Sequence, residues 1–141
     1  FLGRYQNYPV ALEGALKMKE VAYIHAEGIL ASEIKHGPIA LIDKNMPVVF
    51  IIPSDNCSMK QVIVNMEEVK ARGGQIFAIT DVISSQYVKN IADHILELPV
   101  CPVYLQPILC NIPLQLLAYY VAIEKGLNPD KPRNLAKSVT V

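Results

Sequence analysis

Two short runs constrain this chain more than any other feature: PVVFIIP (47–53) and GQIFAIT (74–80). Both are apolar without alternation, rich in β-branched residues and bounded by turn formers. A strand that faces water on one side alternates polar with apolar residues; these runs have no polar side and need cover on both faces. HILELP (94–99) is a weaker third run, and Phe1-Leu2-Gly3 reads as the end of another. Helical patterns separate them. Residues 9–28 open with Pro and close with Gly, as a helix would. Residues 57–74 show helical spacing with basic residues and Gly at the end. Residues 105–126 are apolar nearly all round, which predicts a helix sandwiched between other elements, with Pro107 and Pro113 restricting its start or kinking it. Strands alternating with helices predict a doubly wound, three-layer α/β fold. Ligands in such folds sit beyond the carboxyl ends of the strands. That points to the loop after Gly3 and the loop after the 47–53 run.

At 141 residues the chain is one domain with room for a real core. Its 52% hydrophobic and 18% charged residues favour extensive burial, including a subunit or domain interface. Basic and acidic residues balance at 13 each, so charge gives no reason to expect nucleic acid or an anionic membrane as partner. Cys57, Cys101 and Cys110 are odd in number and form no CxxC pair; they read as reduced thiols of a cytoplasmic protein. The apolar run at 112–123 is interrupted and reads as too short and too polar to span a membrane. The chain starts without Met and has no signal-peptide pattern, which reads as a fragment whose function draws on residues outside it.

Three places could carry chemistry. Glu13, Lys17 and Glu20 stand at i, i+4 and i+7 of the first helical pattern, with Glu27 seven residues further along the same face. Such a stripe is either a solvated set of ion pairs or an acid/base carboxylate with a lysine one turn away. His36 lies between Lys35 and Gly37-Pro38, a turn that either presents the imidazole to a partner or caps a helix end. His25, inside the first helical pattern, and His94, opening a strand, read as structural. Lys137 sits in NLAKSVTV, more apolar and β-prone than a solvated tail. A lysine in partly apolar surroundings either pairs with an acidic neighbour or, as the neutral amine, attacks a carbonyl to form a Schiff base. The sequence has no Gly-rich phosphate loop, no nucleophile elbow and no cluster with metal-ligand spacing, so no cofactor or metal is expected.

The stretches LEGALKMKE, YIHAEG, EIKHGPIALID, EVKARGGQ and PRNLAKSVTV resemble the glutamine–fructose-6-phosphate aminotransferases over essentially the whole chain. The resemblance is to the second of two sugar-isomerase (SIS) subdomains in their carboxyl-terminal isomerase domain. It implies a mainly parallel sheet of about five strands, an SIS subdomain over residues 1–128 and a tail, 129–141, that carries the active-site lysine. It implies a part in making glucosamine 6-phosphate from fructose 6-phosphate and glutamine-derived ammonia. Glu20 would shuttle a proton between C1 and C2 of the sugar, and Lys17 would assist at a hydroxyl. His36, given by a neighbouring subunit of a homodimer, would assist ring opening. Lys137 would form the Schiff base, and the backbone of Ala136 would touch the sugar. The phosphate-binding loops would belong to the first SIS subdomain and the ammonia source to a glutaminase domain of the same chain, so this piece alone is expected to be inactive. Two other readings are a related sugar-phosphate isomerase or deglycase, and a non-catalytic module that binds a sugar phosphate to regulate a partner.

Overall fold

A computed structural model describes residues 1–52, 54 and 56–136, the side chains of Asn56 and Cys57 excepted. Five parallel strands make one sheet in the order β2-β1-β3-β4-β5: β1 Leu2–Gly3, β2 Ile29–Leu30, β3 Pro47–Ile51, β4 Gln75–Asp81 and β5 His94–Leu98. The chain moves outward from β1 to β2, then returns past β1 to β3. That reversal places helices on both faces and makes the sheet doubly wound.

The unbroken apolar runs are accounted for residue by residue. Val48, Phe50 and Ile52, with Ile76 and Ala78 of β4, face α2 (Asn56–Lys70), the single turn α3 (Ser85–Val88) and the 3-10 turn Ala31–His36. Val49, Ile51 and Ile79 face the other way, against Val10 and Ala11 of α1 (Asn7–Ala22) and Cys110 and Leu114 of α4 (Gln106–Glu124). Phe50, Ile51 and Ile52 are wholly buried. Each such side chain stabilises the fold by about 1.5–3 kcal/mol. His94 begins β5 and stacks on Phe77 of β4, ring centroids 4.6 Å apart.

Two expectations need correction. First, the helix expected over 9–28 ends at Ala22. Tyr23 takes the left-handed conformation, φ 54°, and its N–H closes the helix on Met18 O. His25 and Glu27 therefore lie beyond the helix, and Glu27 does not extend the carboxylate stripe. Gly28 has another purpose: a Cβ there would stand 2.6 Å from Leu12 Cα, so only glycine lets the returning chain pass against α1.

Second, α4 is not sandwiched within this chain. Gln106, Cys110, Leu114, Ala118 and Ala122 recur every four residues and are buried. Ile108, Ile112, Leu116 and Tyr120 on the remaining surface are exposed. The segment 103–124 is also long and apolar enough by length and composition to cross a membrane, contrary to the sequence reading. Its buried stripe packs on α1 and the sheet. Pro107 lies in the first turn, where its missing N–H costs nothing, and Pro113 lies inside the helix.

α1 returns antiparallel to the strands. Its 16 residues carry its last turn, where Glu20 stands, towards the edge where β2 begins. The candidate site lies there, away from the loop after Gly3.

Candidate active site at the end of α1

Helical spacing puts Glu13, Lys17 and Glu20 side by side, and the fold keeps them there. Lys17 Nζ donates to Glu20 Oε2 at 2.5 Å and stands 3.4 Å from Glu13 Oε1. All three side chains are part-exposed, Glu20 the least at 27%. The hydrogen bond to Glu20, reinforced by the charges of both glutamates against the opposing cost of burial, raises the Lys17 pKa. Lys17 is therefore a firmly charged donor at neutral pH. It can hold an oxygen and fix the Glu20 carboxylate, but it is not a base.

Glu20 opens on a cleft of about 400 Å³. One wall is the end of α1 and the chain just past it: Glu20, Tyr23 and His25. The other is the carboxyl-terminal segment Arg133, Asn134 and Leu135. The tail is tied to that wall by several contacts. After α4, Gly126 takes φ 69° and the Leu127 N–H returns to Ala122 O. Lys125 Nζ donates to Ala22 O at 2.6 Å, satisfying a carbonyl at the end of α1 from the end of α4. The Arg133 N–H donates to Tyr23 Oη at 2.7 Å, and the Arg133 guanidinium lies 4.2 Å from the centre of the Tyr23 ring.

Of the residues singled out in the sequence, Glu20 lines this cleft and Lys17 is bonded to Glu20 from behind the lining. Ala136 is exposed and follows directly from the Leu135 wall. Lys137 lies outside the described residues; by chain length alone it follows Arg133 by four residues, at most about 14 Å. His36 does not line the cleft. It is exposed at the end of the 3-10 turn Ala31–His36, just before Gly37 at φ 145°. His25, read from the sequence as structural, is 85% exposed by side chain and borders the cleft. Tyr23 and Arg133 were not singled out by sequence. Their pairing joins positions 110 residues apart, and no local pattern encodes it. Among the described residues no group of His, Cys, Asp and Glu could hold a metal ion.

Known proteins give this geometry a context. The SIS domain profile matches residues 1–125. The glutamine–fructose-6-phosphate aminotransferase [isomerizing] of Legionella pneumophila is 55% identical over the whole chain. That of Salmonella typhimurium is 52% identical, again over all 141 residues. The chain spans only 23% of the length of each of these relatives, and it corresponds to their C-terminal region. Among solved structures, the C-terminal domain of glucosamine-fructose-6-phosphate aminotransferase from Francisella tularensis superposes with a TM-score of 0.89 and 46% identity, covering 94% of this chain and 37% of that one. The five-stranded parallel sheet and the match over most of the sequence lead to one conclusion: this chain belongs to the SIS-domain family.

Proposed function

We propose that this chain is the second sugar-isomerase module, residues 1–128 with the tail 129–141, of an enzyme that makes glucosamine 6-phosphate from fructose 6-phosphate and glutamine nitrogen. The observation that carries the reading is the cleft at the end of α1. A carboxylate held by an ammonium faces the tail segment that leads within two residues of leaving Leu135 to Lys137.

The chemistry requires such a pairing. The substrate is a ketone at C2; the product has an amine at C2 and an aldehyde at C1. A proton must therefore leave C1, another must arrive at C2, and the C1 hydroxyl must lose its proton. The Lys137 amine, once neutral, adds to the C2 carbonyl and expels water, leaving an iminium. Ammonia displaces the lysine, so nitrogen stays on C2 and the amine is returned. The C2 iminium acidifies the C1 protons, and one carboxylate, Glu20, takes a proton from C1 and delivers it to C2. Lys17 steadies Glu20 and supports charge developing on the neighbouring oxygen. The backbone of Ala136 contacts the sugar. His36, exposed and outside the lining of this cleft, serves the ring opening in the site of a second copy, which makes the working unit a homodimer. The phosphate is held by a first SIS module, and ammonia comes from a glutaminase domain of the same longer chain, in the cytoplasm.

Borohydride trapping of the full-length protein with fructose 6-phosphate, read by peptide mass spectrometry, tests this. The expected result is a reduced sugar adduct on Lys137. A clean tail peptide in protein shown to bind the sugar overturns the role of the lysine. An isomerase that needs no ammonia is the competing activity, and formation of glucosamine 6-phosphate from ammonia separates the two.

A further inference from the structure

Tyr23 has two properties that ending a helix does not require. A left-handed residue at a helix end is ordinarily Gly or Asn, because a Cβ is disfavoured there. Here the position holds a tyrosine at φ 54°, three residues after Glu20. The residue also makes its side-chain contacts with the far end of the chain: Oη accepts the Arg133 N–H, and the ring carries the Arg133 guanidinium. The next residue, Asn134, is itself left-handed at φ 61°, so the tail turns directly after this contact. A backbone hydrogen bond fixes which tail residue sits at Tyr23, whereas a charge contact alone would allow sliding. Glu20 and Tyr23 thus border one cleft, and Tyr23 is the side chain that hydrogen-bonds the tail at Arg133, the described contact of the tail that lies in the cleft.

We propose that Tyr23 is a positioning residue: it clasps Arg133 and so sets how far along the tail the Lys137 amine meets the substrate opposite Glu20. This rests on the reading that Lys137 forms the Schiff base. Tyr23 touches no reacting atom. It acts by fixing the segment four residues before the nucleophile, and small misplacements of a nucleophile are costly in rate.

The test uses the full-length protein, fructose 6-phosphate and three variants, following the rate of borohydride trapping at Lys137, kcat and KM for the sugar, and thermal stability. Tyr23→Phe removes only the acceptor oxygen and slows trapping and kcat about fivefold, the effect of one ordinary hydrogen bond. Tyr23→Leu removes the ring as well and slows both about twentyfold, with KM little changed. Tyr23→Gly is the decisive variant. Glycine suits the left-handed helix end and so keeps the helix stop, yet it should be as slow as the leucine variant. If Tyr23 only ends α1, Tyr23→Gly traps at the wild-type rate and the proposal is overturned. Equal trapping by wild type and Tyr23→Leu also overturns it. Absence of an adduct in the wild type condemns the Schiff-base reading instead, which keeps the two failures distinguishable.

Discussion

Lys17 bridges two glutamates, donating to Glu20 at 2.5 Å and standing 3.4 Å from Glu13. The hydrogen bond to Glu20 leads the causes that raise its pKa. A lysine whose folded pKa is raised stabilises the native state fully below its unfolded pKa, about 10.4. That contribution is lost as pH climbs through the higher folded value. The pair is part-exposed, so its worth at neutral pH is about 0.5 kcal/mol. Urea unfolding of wild type and Lys17→Met should differ by that small amount from pH 7 to about pH 10. The two should converge above it. A gap that widens with alkalinity contradicts the bridge.

Glu20 is the only carboxylate bordering the cleft that faces the tail among the described residues. Glu20→Gln keeps shape and hydrogen-bonding reach but cannot accept a proton. In the full-length protein, isomerisation should fall at least about 100-fold, the usual scale of a positioned acid or base. Glutaminase turnover should persist. Retained isomerisation would show that the proton moves by another route.

The layered fold is legible because PVVFIIP and GQIFAIT carry no polar face, so burial on both sides follows from the residues alone. β2 and α3 are not legible, since two residues at Ile29–Leu30 and four at Ser85–Val88 leave no periodicity to read. The α1 overrun arises because Gly28 looks like a helix stop, while Tyr23, a poor candidate for a left-handed turn, ends the helix instead. The stripe Glu13, Lys17, Glu20 is readable from spacing. The roles of Tyr23, His25 and Arg133 around it are not, because the tail meets α1 only through tertiary structure. The bare face of α4 shows the same limit: its apolar residues are in the sequence, but which of them this chain covers depends on α1 lying on one side alone.

Asp93 ties the starts of two adjacent strands together. Its Oδ2 accepts the Ile76 N–H at 2.8 Å, and its Oδ1 accepts Lys70 Nζ at 2.5 Å. The hydrogen bond from Ile76 is the leading cause that holds its carboxyl below the ordinary aspartate range. A lowered folded pKa gives stability that is complete above the unfolded value, about 3.9, and is lost as pH falls through the folded one. Asp93→Asn should cost about 1 kcal/mol at pH 7, discounted for solvent exposure. The difference from wild type in denaturant midpoints should vanish in acid. A difference that persists in acid would mean that asparagine strains the β4–β5 junction for reasons unrelated to charge.

Gly28→Ala tests how the site end of α1 is braced. Alanine would bring its Cβ to 2.6 Å from Leu12 Cα, 2.7 Å from Leu12 N and 2.8 Å from Ala11 C. These are backbone atoms of a packed helix and have no rotamer by which to withdraw. Relief requires moving α1 from the chain entering β2, and Ala11 is wholly buried against the sheet. Overpacking of this kind costs about 1–3 kcal/mol, and a backbone collision belongs at the upper end. Chemical denaturation should show that loss. In the full-length protein at a temperature where the variant is folded, trapping at Lys137 should slow as well, because Glu20 and Tyr23 ride on the same helix end. Gly73→Ala is the comparison: it also replaces a glycine, at φ 80°, but meets no atom within 4 Å and lies after α2, away from the cleft. It should strain only its own turn and leave trapping at Lys137 untouched. If both variants impair trapping equally, the effect is a general loss of stability, and the contact between Gly28 and α1 has no particular hold on the cleft.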